Sequence, residues 1–267
     1  MICKDKPFVM KKIVILLLAF FPAMTFAQSD DFGFDFSLSA EKDITKKLSV
    51  EVEGELRTRD NAQTNDRWSM GLGVDYKVAK WLKVAAGYTF LYDNNERISY
   101  YDAHDDAVLD GDVDEGDPKK RARYWGARHR FNVSVTGSRK FGHFKFSLRE
   151  RWQYTYRPEH TVSERWSFLK GEYDGKEHTY SGKGKNVLRS RLQIEYDKKK
   201  CPLSPYANVE LFNAWSIQKT RYTAGLDWKV VKHHSLGIFY QYQDVRNDDD
   251  DFEPNRHLIG AGYKIKF

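Results

Sequence analysis

The chain is poor in cysteine, with two in 267 residues, and beyond residue 27 it has no long apolar run. So few cysteines exclude a small scaffold stapled by disulfides. Without a second segment approaching the ~20 apolar residues that a spanning helix needs, a helical membrane protein is excluded as well. Charge of one sign is also scarce. Forty-four Lys and Arg face 38 Asp and Glu, for a net +6, and residues 1–27 hold four lysines and one aspartate, so a chain starting at Gln28 keeps +3. That excess is too small to indicate a nucleic-acid partner.

What is present is charge and aromaticity together. Charged residues make up 31% of the chain and Phe, Trp and Tyr 15%, with a mean hydropathy of −0.71. One kind of membrane protein tolerates this: a β-barrel, in which only every second residue meets lipid and aromatic girdles mark the two interfaces.

The N-terminus supplies the export route. Met10-Lys11-Lys12 precedes an apolar run from Ile13 to Phe21, then Pro22 and Thr25-Phe26-Ala27. A basic n-region, an apolar h-region and a small-residue cleavage site define a secretory signal peptide. Residues 1–27 are therefore expected to be an N-terminal extension plus signal, with 28–267 as the mature domain. Cys3 lies ahead of the cut, so the mature chain holds a single cysteine, Cys201, and none at the junction for lipid attachment.

Period-two alternation then recurs to the end of the chain. Phe32, Phe34, Phe36 and Leu38 alternate with Gly33, Asp35, Ser37 and Ser39; Trp68, Met70, Leu72, Val74 and Tyr76 face away from Arg67, Ser69, Gly71, Gly73 and Asp75. Similar rows predict eleven strands, the last over 256–267. Short basic turns (42–47, 79–81, 138–142, 198–204, 231–234) alternate with longer acidic connections at 93–124, 157–186 and 246–254. The fold class expected is all-β: a transmembrane antiparallel up-and-down barrel of about 10–12 strands, with short periplasmic turns and long extracellular loops. A secreted lipocalin-like barrel or sandwich is the soluble alternative. Single-chain bacterial barrels have even strand numbers. Eleven rows thus mean a missed strand, a misplaced 32–41 segment or closure by a parallel pair, and twelve is preferred over ten.

The final segment, Gly260-Ala261-Gly262-Tyr263-Lys264-Ile265-Lys266-Phe267, resembles the C-terminal strand of Gram-negative outer-membrane barrels. With Glu55-Leu56-Arg57, Arg128-His129-Arg130-Phe131, Leu203-Ser204-Pro205-Tyr206 and Arg221-Tyr222-Thr223-Ala224-Gly225, it makes the mature chain similar to a family of small Gram-negative outer-membrane barrels known as a domain of unknown function. The resemblance implies the cell outer membrane as location, outer-membrane lipid and lipopolysaccharide as surroundings, and the barrel-assembly machinery as a partner during insertion. It implies no activity.

If the apolar rows face lipid, the other parity lines the lumen. Arg128, Arg130, Arg149, Arg151, Arg189 and Arg191 then form a basic wall, and Asp35, Glu51, Glu53, Glu55 and Asp75 an acidic one, with Glu195 and Glu210 as further inward carboxylates. A turn near 139–140 would set Arg128 opposite Arg151 and Arg130 opposite Arg149. Two states of such a lumen are open: a field that filters solutes through a narrow wet pore, or charges that pair and plug it. Glu150 sits on the apolar parity, where a bulge turning it inward would spare a lipid-facing carboxylate.

Outside the walls, signals are weak. Asp110, Asp112 and Asp114 have calcium-loop spacing, but Glu115 replaces the required glycine and Arg121 the bidentate glutamate, so only loose divalent binding is expected there. Asp248 to Asp251 with Glu253 form a second acidic cluster. Asp244 and His257 loosely echo a rim protease. No pattern implies a cofactor. The function expected is a narrow or plugged small-solute pore or an envelope-structural barrel. A surface-binding barrel using the acidic loops and a rim hydrolase are the alternatives, an enzyme being the less favoured.

Overall fold

The computed structural model describes residues 30–199, 201–246 and 254–267. The expected signal segment and the Asp248–Asp251 cluster lie outside them.

Alternation becomes strands β1 (Asp31–Asp43), β2 (Leu48–Arg59), β3 (Thr64–Lys77), β4 (Leu82–Tyr100), β5 (Pro118–Phe141) and β6 (Phe144–Arg157). A long loop follows, with the short strands β7 (His160–Val162), β8 (Trp166–Ser167), β9 (Glu172–Tyr173) and β10 (His178–Tyr180). The chain then returns as β11 (Lys183–Tyr196), β12 (Leu203–Asn213), β13 (Ile217–Val231), β14 (His234–Val245) and β15 (Arg256–Lys266). The sheet closes on itself through β1–β6 and β11–β15, giving an eleven-stranded barrel.

Neither ten nor twelve strands form. Consecutive strands run antiparallel, so an odd ring must contain one parallel contact, and β1 meets β15 in that way from Asp31↔Arg256 to Glu41↔Lys266. Parallel pairing is slightly weaker per residue, and here charge pairs fasten both ends of the seam. Arg256 meets Asp31 at 2.9 Å, while Lys264 and Lys266 reach Glu41 at 2.6 and 2.5 Å.

The distribution of side chains inverts that of a soluble protein. Trp68, Met70 and Leu72 on β3 are more than half exposed, as are Leu148, Leu192 and Ile238, whereas Asp35, Arg57, Asp93, Arg189 and Glu210 are buried. An apolar outer belt around a polar interior is the arrangement hydrocarbon requires. From Trp68 to Tyr76 the belt spans nine residues of β3, within the ~9–11 of a tilted membrane strand. Exposed rings border it at the loop end (Trp68, Tyr92, Tyr156, Tyr222) and at the turn end (Tyr76, Trp81, Phe144, Trp228, Phe267). No helix among the described residues is long and apolar enough to cross a membrane.

Three local expectations are corrected. The β5–β6 turn lies at Gly142-His143, with Gly142 at φ +58°, beyond the expected 139–140. Arg130 therefore stands opposite Thr155, and Arg149 and Arg151 opposite Thr136 and Ser134. Arg139 and Lys140 look like turn residues yet stay in the ladder, opposite Phe146 and Lys145. Glu150 is not turned inward: β6 pairs with both neighbours without a bulge, and the carboxylate accepts a 2.6 Å hydrogen bond from Ser190 on the outer face. Residues 93–100 and 118–124 are strand rather than loop, because β4 and β5 stay paired from Leu82↔Gly137 to Tyr100↔Pro118. β6 pairs with β5 only as far as His129↔Tyr156, so this hairpin projects beyond the rim.

Candidate functional site: the charged lumen

Inward positions follow from the register. Odd residues of β1 to β4, even residues of β5, odd residues of β6 and β11, even residues of β12, odd residues of β13 and β14 and even residues of β15 share one face. All eleven residues expected on the two walls fall on it.

Toward the loop end, Asp35 accepts from Arg57 at 2.6 Å, and Arg57 also meets Glu55 at 2.9 Å. Asp93 lies between Arg67 at 2.5 Å and Arg128 at 3.0 Å, and Arg128 donates to Asn95. Apolar side chains are buried on the same face. Leu91 and Leu258, inward from β4 and β15, are 1% and 0% exposed, and Gln243 is 2% exposed. Leu258, the exception in the polar parity of its strand, fits because Gly33 opposite it has no side chain.

On the wall of β6, β11 and β12, arginine faces arginine: Arg189 opposite Arg151 and Arg191 opposite Arg149. Glu210, buried, takes Arg149 at 2.5 Å and Arg189 at 2.7 Å. Arg189 also donates to Gln153, and its guanidinium lies 4.4 Å from the centre of the Phe212 ring, with Arg221 at 4.6 Å. Toward the turn end the pairs are Lys264 with Glu51, Lys83 with Asp75 and Lys145 with Glu195.

Most wall charges thus pair with neighbours along the ring. Arg57, Arg67 and Asp93 were missing from the expected walls. The parity of β2 and β3 placed Arg57 and Arg67 inward, but Asp93 lay in what looked like a loop. Arg130, Arg151, Arg191 and Glu53 make no ion pair among the described residues.

Over the loop end, the segment between β6 and β11 packs on the inward face of the projecting hairpin. Tyr180 and Val162 contact Ala122 and Tyr124, and the rings of Tyr124 and His160 stack at 4.3 Å. Asp174 ties the segment down. It accepts from Lys120 Nζ at 2.8 Å and from the backbone N–H groups of Arg165 and Lys176, which together hold its carboxyl well below the usual carboxylate range. A carboxyl so depressed stabilises the docked segment above its ordinary value near 3.9 and loses that contribution as pH falls through the lowered value. Asp174→Asn is expected to speed tryptic cleavage after Arg165, Lys170 and Lys176 at neutral pH several-fold; mass mapping of the fragments reads it.

The other candidates are placed as follows. Asp105 binds Lys119, and its carboxylate accepts from the backbone N–H of Asp102. No group of three or more His, Cys, Asp or Glu among the described residues is arranged to hold a metal ion, Asp110, Asp112 and Asp114 included. His257 faces Tyr242; its ring nitrogens lie 2.7 Å from Tyr240 Oη and 3.2 Å from Asp30.

An apolar exterior, a closed strand ring and an ion-paired interior define a β-barrel of the outer-membrane type. The chain belongs to the family described as a protein of unknown function (DUF2490), whose model matches residues 32–253. No curated protein matches it. Among solved structures it is similar to the β domain of the Bordetella autotransporter BrkA, at 11% identity and a TM-score of 0.47, over 81% of this chain and 78% of that one. It is also similar to the CymD monoaromatic hydrocarbon channel, at 9% identity and 0.34, over 80% and 82%. A third is the ferric enterobactin receptor PfeA of Pseudomonas aeruginosa, at 9% identity and 0.30, over 80% of this chain but 39% of the receptor.

Proposed function

We propose that the protein is a closed small-solute barrel of the outer membrane, its short turns in the periplasm and its long loops outside, inserted by the barrel-assembly machinery among lipopolysaccharide. The single observation that supports the closed state is that Leu91, Leu258 and Gln243, all on the inward face, are almost completely buried; the ion pairs of Arg57 and Asp93 line the same lumen. A ring of eleven strands lies between the eight that side chains fill and the ~16–18 that leave a water channel, so these side chains have enough bulk to close it. The loop over the mouth adds a second obstruction.

The test is conductance of the protein purified from membranes, in planar bilayers. No sustained steps are expected from the wild type. Regular porin-like steps from the unmodified protein would overturn the closed state.

A further inference from the structure

We propose that Arg149, Arg151, Arg189 and Arg191 form a binding site for a doubly charged tetrahedral oxyanion of the phosphate class. The inference rests on the barrel reading above in taking the lumen as the solute-facing surface, but not on whether the barrel conducts.

The four arginines occupy two adjacent levels of one strand pair, Arg149 opposite Arg191 and Arg151 opposite Arg189. Levels two residues apart are about 7 Å apart along a strand, and opposite Cα atoms are about 5 Å apart across it. Four guanidiniums therefore share one small patch, and like charges directly opposite are destabilising. Glu210 relieves one diagonal of this square, binding Arg149 and Arg189. The other diagonal, Arg151 and Arg191, makes no ion pair among the described residues, and the buried Nε of each lacks a hydrogen-bond partner. Arg130, inward on β5, also has an Nε with no partner.

A guanidinium presents planar, forked donors that match an oxyanion two at a time. Donors left over on Arg151 and Arg191, together with a local charge surplus, suit an anion with several acceptor oxygens better than a chloride. Elsewhere on the lumen wall, on β3, Gly73 faces inward with nothing within 4 Å of where a Cβ would stand, so side chains do not fill the interior at every position.

The experiment is isothermal titration of the detergent-solubilised full barrel with inorganic phosphate, against chloride at matched ionic strength. Saturable phosphate binding is expected, with chloride a poor competitor. Charge-assisted hydrogen bonds of this kind predict binding weakened by about tenfold or more in Arg151→Gln/Arg191→Gln. Arg151→Lys/Arg191→Lys keeps the charge and removes the fork; should the Gln pair not fold, this pair decides, with weaker phosphate binding again expected. Absence of saturable binding, equal competition by chloride, or unchanged affinity in the Lys pair would overturn the site. A barrel that conducts freely yet binds phosphate through Arg151 and Arg191 would sink the closed state and leave the site standing.

Discussion

Replacing Glu210 by alanine is expected to destabilise the barrel by about 3–5 kcal/mol, the range seen when a buried ion pair loses one partner. Among the described residues Glu210 is the only carboxylate ion-paired with any of Arg149, Arg151, Arg189 and Arg191, and it holds two of them, Arg149 and Arg189. Its loss leaves guanidiniums that face one another across β6 and β11 with no opposing charge. The effect of Arg191→Gln has the other sign. It removes one like charge from the crowded patch and breaks no ion pair among the described residues, so stability is expected to hold or rise slightly in phosphate-free buffer. Denaturant titration in lipid vesicles, followed by tryptophan fluorescence, measures both. A cost for Glu210→Ala below about 1 kcal/mol would mean charges screened by water as at a protein surface. The lumen would then be wet at this level, and the closed state would fail on the same data.

The outer face of the barrel was legible because lipid contact imposes a one-residue-in-two rule that a strand cannot hide: Trp68, Met70, Leu72 and Val74 announce it. The C-terminal segment was legible for the same reason. Closure was not. Alternation marks a strand but carries no direction, so nothing in the rows of β1 and β15 says whether they meet parallel or antiparallel. Register was equally silent where turn-like residues continue the ladder, as Arg139 and Lys140 do. The projecting ends of β4 and β5 went unseen since Asn94, Asn95, Glu96 and Arg97 are polar on both faces, and backbone pairing, aided by the Glu96–Arg123 ion pair at 2.8 Å, holds them. The wall arginines were visible one by one through parity. Their pairings were not: parity turned Glu210 inward, but which arginines it and Asp93 hold depends on strand contacts that only the folded register creates.

The inward glycines of the last strands make a second expectation with a large effect. Gly260 stands opposite Phe239 and Gly225 opposite Tyr206, and in each case the ring lies across the neighbouring glycine. A Cβ on Gly225 would come within 2.6 Å of the Tyr206 ring, and one on Gly260 within 2.0 Å of the Phe239 ring. Each aromatic thus covers backbone that a lone glycine leaves bare, as in the rescue of strand glycines by cross-strand rings. Gly260→Ala forces Phe239 off its site, and overpacking of this kind costs about 1–3 kcal/mol. Phe239→Ala opens a void instead, and truncation of a large ring costs about 3–5 kcal/mol where it is well packed. Once the ring is gone, the alanine methyl has space, so the double variant is expected to be no less stable than Phe239→Ala alone. A coupling energy of about 1 kcal/mol or more in that cycle identifies the ring–glycine joint. Strict additivity would mean that the ring and the glycine do not touch in the folded barrel, and that β14 and β15 are held at this level by their backbone ladder alone.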